Sequence, residues 1–131
     1  MLQSFATRRG PLVRVAALVV LLSLGTIGAT WQSREGWASF YARSRAGART
    51  TSGERYDPKA LVAAHPTLAF GTRVRVTRVK TGRMVVVRVI DRMPAALARR
   101  RGYIIDLSRA AAESLDFIRE GRTRVRVEVV R

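Results

Sequence analysis

The amino-terminal segment has a hydrophobic pattern unlike that of the rest of the chain. Val15–Trp31 is a run of seventeen uncharged residues, and the residues before it include Arg8, Arg9 and Arg14 but no acid. A basic segment followed by an apolar one and then by small residues is typical of an export signal. The run is short of the ~20 apolar residues that span a bilayer comfortably, so it predicts either a cleaved signal or an uncleaved anchor. A buried helix is the alternative, which the absence of a polar face disfavours.

The clearest alternation of polar and apolar residues lies in the middle of the chain. Thr72–Val79 places valine at every second position with Arg or Thr between, which predicts a strand whose valines point inward. Lys80–Arg83 contains a glycine and predicts a turn. Met84–Ile90 is almost continuously apolar, which predicts a strand buried on both faces. We expect the two strands to pair as a β-hairpin.

Shorter patterns predict the remaining elements. Residues 32–35 fit a linker, and Lys59–His65 fits either a strand or a short helix. Ser108 can cap a helix from Arg109 to about Arg119, whose buried stripe is expected at Ala111, Leu115 and Ile118. Further strands are predicted at Gly36–Ala42, Tyr103–Leu107 and Thr123–Val130, and loops at Arg43–Pro58 and Pro94–Gly102. Five or six short strands with one helix predict a mainly β fold, a small closed barrel.

The charge of the predicted barrel indicates the kind of partner it meets. Without the three arginines of the amino-terminal segment, the formal net charge of +16 becomes +13. Such a field attracts polyanions. The predicted export disfavours nucleic acid as that polyanion and favours wall polymers or anionic lipids. The chain has no cysteine, which excludes disulfides, thiolate metal sites and a lipid-modified cysteine. No spacing typical of a metal site, a phosphate loop or a nucleophile elbow is present, so no cofactor is expected.

Four ionisable residues are candidates for chemistry, and each has an alternative interpretation. Asp91 ends the apolar strand, where sites are often placed, but it could simply pair with an arginine. Glu54 lies in a polar loop, where a solvated acid is the ordinary interpretation. His65 follows two alanines and fits a hydrogen-bonded structural residue as well as a catalytic one. Asp106 precedes the predicted helix, and capping that helix is its simpler role.

Several segments together resemble the RlpA-like family. They are Trp37–Tyr41, Thr51–Asp57, Ala60–Val76, Val85–Pro94 and Ile104–Ser108, in family order and spacing, within a match that covers about Gly36 to Val130. The resemblance implies a six-stranded double-psi β-barrel with one or two short helices, related to the catalytic domains of expansins. It also implies a lytic transglycosylase of peptidoglycan, with Asp91 as the catalytic acid, Glu54 as an essential acidic partner and His65 supporting the site.

The resemblance leaves alternatives open. Asp91 must be protonated to act as an acid, and burial raises its pKa while the neighbouring Arg92 lowers it. Met93 stands where the family usually has glycine, so the turn can differ or the cleft can be partly filled. A non-catalytic, expansin-like module that binds or remodels peptidoglycan is therefore the alternative function. A third interpretation is a nucleic-acid or anionic-lipid binder driven by charge, whose affinity would fall steeply with salt.

The expected organisation is therefore an exported barrel. Residues 1–31 are expected to be a signal peptide or membrane anchor, 32–35 a linker, and 36–131 the RlpA-like double-psi β-barrel. The positive-inside rule places the barrel outside the cytoplasm, in the periplasm, with residues 15–31 as the potential membrane tether. Peptidoglycan glycan strands are the expected partner, nucleic acid is not, and the protein is expected to be a monomer.

Overall fold

Six strands close into a barrel in the computed structural model, which describes residues 32–131. The strands are β1 (Arg34–Phe40), β2 (Val62–Ala64), β3 (Arg73–Arg78), β4 (Met84–Asp91), β5 (Tyr103–Leu107) and β6 (Thr123–Val129). Two short helices, α1 (Ala95–Arg101) and α2 (Arg109–Ser114), and a 3-10 turn at Arg43–Arg45 lie between them. The predicted signal or anchor at 1–31 lies outside the described residues. Within residues 32–131, no helix is long and apolar enough to cross a membrane.

The order of the strands around the barrel is β1-β5-β2-β4-β3-β6. The β1–β5 and β2–β4 pairs are parallel, and the other four pairs are antiparallel. The predicted hairpin is the β3–β4 pair, in which Val74 lies opposite Val87 and Val76 opposite Val85. The mainly β fold and the six-stranded closed barrel are therefore confirmed, and the ambiguous segment before His65 is a strand.

The barrel interior is filled by the apolar residues of alternating strand positions. Its fully buried side chains include Val74, Val76, Val87, Val89, Ile105, Leu107, Val125 and Val127. Branched side chains suit this interior because they pack well on a pleated, half-buried surface. The prediction that β4 is buried on both faces is wrong, because Met84 is 61% exposed and Arg88 also lies on the surface. The outer face of β4 is thus available to polar contacts.

The strands differ from the predicted alternation at two ends. β1 begins at Arg34, so part of the predicted linker pairs with β6. At the end of β3, Val79 is 49% exposed while Arg78 is only 5% exposed, which reverses the predicted pattern. The Arg78 guanidinium donates to the carbonyls of Leu115 and Asp116 and to side chains of Glu120 and Thr123, at 2.8–3.3 Å. These bonds explain its burial, since a buried charge needs partners.

The helices also differ from the expectations. The predicted loop at 94–102 contains α1, which follows Pro94 and ends at Gly102 with a left-handed φ of 71°. Alanine and arginine favour a helix, and a glycine in this conformation ends one. Ser108 caps α2 as predicted, with its hydroxyl accepting from the Ala111 amide at 3.3 Å. However, α2 ends at Ser114, and Phe117 rather than Ile118 is fully buried and packs edge-on against Phe40.

Replacing Arg78 tests whether its hydrogen bonds hold the α2–β6 connection to β3. We expect Arg78→Met to lower the free energy of unfolding by about 2 kcal/mol, because hydrogen bonds from a charged donor are lost and buried carbonyls lose a partner. Urea denaturation measures the change. Arg75→Met, on the same strand, is the matched control and is expected to change stability by less than about 0.5 kcal/mol. Equal effects of the two substitutions would contradict the role of Arg78.

Candidate active site

The strand order brings four side chains into one row across the barrel. Ser39 of β1 is the register partner of Asp106 of β5, Asp106 is the partner of Ala64 of β2, and Ala64 is also the partner of Asp91 of β4. Since neighbouring strands are ~4.8 Å apart, the two aspartate Cα atoms lie about 10 Å from each other. Register partners on neighbouring strands point to the same side of a sheet, so two carboxyl groups flank the small side chain of Ala64.

This row lies in an open cleft with a volume of about 360 Å³. Such a volume is in the range of natural ligand sites. The cleft is lined by Ser39, Phe40, Tyr41, Ala42, Arg45, Ala64, Asp91, Arg92, Met93, Pro94 and Asp106. The predicted Asp91 is therefore in the cleft, whereas the predicted Glu54 and His65 are not among its lining residues.

The Asp91 carboxylate is 7% exposed and accepts four hydrogen bonds. The Tyr41 hydroxyl donates to Oδ2, while Oδ1 accepts from the amide and hydroxyl of Thr51 at 2.9 and 2.8 Å and from the Arg92 amide at 2.9 Å. Burial by itself raises the pKa of Asp91, but the four donors together lower the pKa below its usual value. Asp91 is thus a carboxylate at neutral pH in the free protein.

The Asp106 carboxyl group has the opposite environment. Its Oδ1 accepts one hydrogen bond, from the Ser39 hydroxyl at 3.0 Å. The pKa of Asp106 is raised to about 6, chiefly by burial and also by the negative charge of Asp91. The hydrogen bond from Ser39 and the charge of Arg45 lower this pKa in part. The interpretation of Asp106 as a helix cap is wrong, because Ser108 caps α2. The cleft therefore holds one ionised carboxylate and one carboxyl group that keeps its proton up to a higher pH.

Glu54 lies on the surface beside the cleft. Its two carboxylate oxygens accept from the Arg88 guanidinium at 2.7 and 2.8 Å, which lowers the pKa of Glu54. Arg88 stands on the exposed outer face of β4, three positions before Asp91. The pair thus joins β4 to the loop that also supplies Thr51 to Asp91. Its position fits the support of that loop better than direct contact with a substrate in the cleft.

His65 is buried and acts through the backbone around it. Its amide donates to the Asp91 carbonyl at 3.1 Å, and its Nδ1 accepts from the amides of Thr67 and Leu68 at 3.1 and 3.0 Å. Burial, together with the smaller effect of the Arg92 charge, lowers the pKa of His65 to about 4. A neutral ring whose Nδ1 is already occupied matches the structural interpretation of this residue. The two hydrogen bonds that Nδ1 accepts hold the turn that follows β2.

Comparison with known proteins supports the same assignment of the fold. The sequence model of the family described as "Lytic transglycolase" matches residues 33–127. The chain belongs to the RlpA-like family of double-psi β-barrels. Probable endolytic peptidoglycan transglycosylases RlpA from Nostoc sp. and Treponema pallidum are 51% and 47% identical to this chain over 100 and 93 residues.

The RlpA-like chain spans only part of its relatives. The matches to the Nostoc and Treponema proteins cover 75% and 71% of this chain but 26% and 28% of those proteins. An endolytic peptidoglycan transglycosylase RlpA from Yersinia pestis is 46% identical, with 75% of this chain and 26% of that protein covered. The chain thus corresponds to about a quarter of the length of these relatives.

Solved structures share the barrel of this RlpA-like chain at low sequence identity. A Streptomyces papain inhibitor superposes with a TM-score of 0.61 and 24% identity, covering 79% of this chain and 98% of the inhibitor. An expansin from Clavibacter michiganensis superposes with a TM-score of 0.58 and 23% identity, covering 76% of this chain and 51% of the expansin. These likenesses show the fold alone.

Met93, the departure from the RlpA-like pattern, fits the barrel without strain. Among residues 32–131, Asp116 is the only non-glycine residue with positive φ, so the backbone at Met93 does not require glycine. The Met93 side chain is 5% exposed and belongs to a buried cluster with Tyr41, Ala64 and Ile90. The cleft remains open beside it. The expected obstruction by methionine is therefore not a feature of this structure.

The donors identified here predict how each carboxyl group titrates. We expect Ser39→Ala to raise the pKa of Asp106 above about 6, because the hydroxyl stabilises the charged form. We expect Thr51→Val to raise the pKa of Asp91, because one of its four donors is lost. Carboxyl-carbon NMR titration measures both values. Each variant is the control for the other, because it leaves the donor to the other aspartate in place. A variant in which neither aspartate changes its pKa would contradict the assigned hydrogen bonds.

Proposed function

We propose that this chain is an endolytic peptidoglycan transglycosylase. It cleaves the bond between N-acetylmuramic acid and N-acetylglucosamine and leaves 1,6-anhydro-N-acetylmuramic acid ends. The observation that carries the proposal is the pair of carboxyl groups on either side of Ala64, in an open cleft of an RlpA-like barrel. The names of the relatives, endolytic peptidoglycan transglycosylases, support the substrate and the reaction.

The two carboxyl groups are suited to different steps of this reaction. Protonated Asp106 donates its proton to the glycosidic oxygen, and the bond from that oxygen to C1 of the muramic acid breaks. The C6 hydroxyl oxygen of the same sugar then bonds to C1, and its proton passes to the Asp91 carboxylate. No water is consumed, and one proton is donated for one received. Pairs of carboxyl groups whose environments separate their pKa values commonly divide acid and base roles in this way.

This assignment changes the role that the resemblance implied for Asp91. The four hydrogen bonds on Asp91 favour its ionised form and hence the role of base rather than that of acid. Glu54 and His65 are positioning residues in this mechanism. Glu54 holds Arg88 and the loop of Thr51, and His65 holds the backbone that follows β2.

The products of cleavage test the reaction. Purified peptidoglycan strands are incubated with the full chain and analysed by mass spectrometry. We expect fragments with 1,6-anhydro-N-acetylmuramic acid ends, and we expect Asp91→Asn and Asp106→Asn each to lower their yield by about 10²-fold or more. Glu113→Gln, on the exposed face of α2 and outside the cleft, is the control. Fragments with reducing ends would identify a hydrolase instead, and full activity of Asp106→Asn would remove Asp106 from the mechanism.

The roles of the two carboxyl groups also predict the pH dependence. The reaction needs protonated Asp106, so kcat/KM is expected to fall as the pH rises through about 6. It also needs ionised Asp91, so kcat/KM falls again at a pH below the usual range of a carboxyl group. Initial rates across this pH range, with soluble glycan strands, give the profile. Ser39→Ala should move the upper limb of this profile to higher pH. If that limb does not move, the titrating group is not Asp106.

A non-catalytic, expansin-like module is the second candidate. The expansin shares the barrel fold, although the Met93 side chain leaves the cleft of this chain open. In that case the full chain would sediment with peptidoglycan strands without cleaving them. Met93→Gly would then be the informative variant, because recovery of cleavage in it would assign the inactivity to methionine.

We also propose that the barrel acts outside the cytoplasm as a monomer. The basic segment and the uncharged run at 15–31 support export to the periplasm, with that run either removed or retained as a tether. The formal net charge of +13 for the remainder fits an anionic polymer as the surroundings. Fractionation of cells that express the full chain, followed by its intact mass, distinguishes a cleaved signal from an anchor.

A further inference from the structure

A second concavity lies beside the turn of the β3–β4 hairpin, where β6 begins. It has a volume of about 310 Å³, and its lining includes Trp37, Val79, Lys80, Arg122 and Arg124. We refer to these five residues and Met84, the first residue of β4, as the Trp37 surface. None of the six lines the cleft, and the mechanism proposed above uses none of them.

The cations of the Trp37 surface have no acidic partner. Glu120 is the one acid that lines the concavity, and its carboxylate accepts from Arg78 at 2.8 Å. In the part of the chain that the structure describes, no carboxylate lies within ion-pair distance of Lys80, Arg122 or Arg124. Three uncompensated positive charges around one concavity attract anionic groups.

The indole ring of Trp37 contacts two of these cations. The guanidinium carbons of Arg122 and Arg124 lie 4.5 and 5.5 Å from the ring centroid. The Trp37 amide donates to the Gly102 carbonyl at 2.9 Å, which fixes the backbone that carries the ring. A guanidinium over an aromatic ring keeps its N–H donors free for an oxyanion such as a phosphate. The ring therefore holds two cations in a form that an anion can bind.

Two exposed apolar side chains lie next to these cations. Val79 is 49% exposed and Met84 is 61% exposed. The Val79 amide donates to the Arg124 carbonyl at 3.0 Å, and Met84 lies opposite Thr77, two positions before Val79. Exposed apolar side chains with cations at their edge mark interaction surfaces, and tryptophan favours the headgroup level of a bilayer. A small anion would use the cations of this surface but would leave its valine and methionine in water.

We propose that the Trp37 surface binds the headgroup layer of a bilayer that contains anionic phospholipids. Its cations contact lipid phosphates, and its two apolar side chains enter the apolar edge of that layer. The proposal rests on the location proposed above, outside the cytoplasm, and not on the cleavage reaction. The uncharged run at 15–31 ends six residues before Trp37, and six residues of extended chain span at most about 22 Å. Where that run is retained as a tether, the surface stays within reach of the lipid headgroups.

The test measures how close Trp37 lies to lipid headgroups. Trp31→Phe leaves Trp37 as the sole tryptophan of the full chain. This chain is reconstituted into vesicles of phosphatidylcholine alone or mixed with phosphatidylglycerol, and headgroup-spin-labelled lipid is the quencher. We expect quenching to be about twofold or more stronger with phosphatidylglycerol, and the difference to disappear at high salt. The amino-terminal segment is the same in both samples, so the difference reports on the barrel.

Two matched pairs of substitutions locate the effect of charge. In the same background, Arg122→Gln with Arg124→Gln should remove the extra quenching by phosphatidylglycerol vesicles, because two of the three uncompensated cations are lost. Arg73→Gln with Arg131→Gln is the control and should retain it. This control removes the same charge at the opposite end of the β3–β6 pair, where Val74 pairs with Val129. Equal losses in the two double variants would show an effect of general charge and overturn the proposal.

The apolar side chains distinguish a bilayer from other anions. Val79→Ser with Met84→Ser leaves the charge unchanged, and we expect it to weaken the quenching because apolar surface no longer leaves water. Undiminished quenching in this variant, or equal quenching in the two kinds of vesicle, would overturn the proposal. Release of the barrel from phosphatidylglycerol vesicles by soluble glycan strands would assign the surface to a polysaccharide and also overturn it. The measurement involves no cleavage, so its failure would leave the proposed reaction standing.

Discussion

Hydrogen bonds to the Asp91 carboxylate join three segments of chain that are distant in sequence. Tyr41 comes from the end of β1, Thr51 from the loop that follows it, and Arg92 from the turn after β4. Each donor satisfies part of a charge that would otherwise be costly to bury. The loop position depends on this carboxylate, and the Glu54–Arg88 pair depends on the loop position. One buried charge therefore organises one whole side of the cleft.

The two aspartates show how neighbouring positions in one cleft obtain different chemistry. Both side chains are removed from water to a large extent, and burial acts on both in the same direction. The number of donors decides the outcome, because Asp91 has four and Asp106 has the single hydroxyl of Ser39. Ala64 contributes by being small, since a larger side chain between the two carboxyl groups would occupy the space where a substrate can lie.

Local pattern predicted much of the barrel, but the site depends on register. Alternating valines identified β3 and β6, and the capping residue of α2 could be read directly from the chain. The row from Ser39 to Asp91 could not, because it joins four strands through pairings between residues tens of positions apart. For the same reason the sequence placed Asp91 but missed Tyr41 and Thr51 as its donors. The resemblance supplied the candidates, whereas the pKa of each depended on three-dimensional contacts.

The position of β1 in the barrel has a consequence for how the molecule folds. β1 pairs only with β5 and β6, the last two strands of the chain. Contacts of such high sequence separation require closure of long loops and slow the folding of a small domain. Until β6 has been synthesised and has paired, β1 and β3 both have an unpaired edge that can associate with other chains. A chain that lacks its last strand thus cannot close the barrel, because β6 supplies the pairs that join β1 to β3.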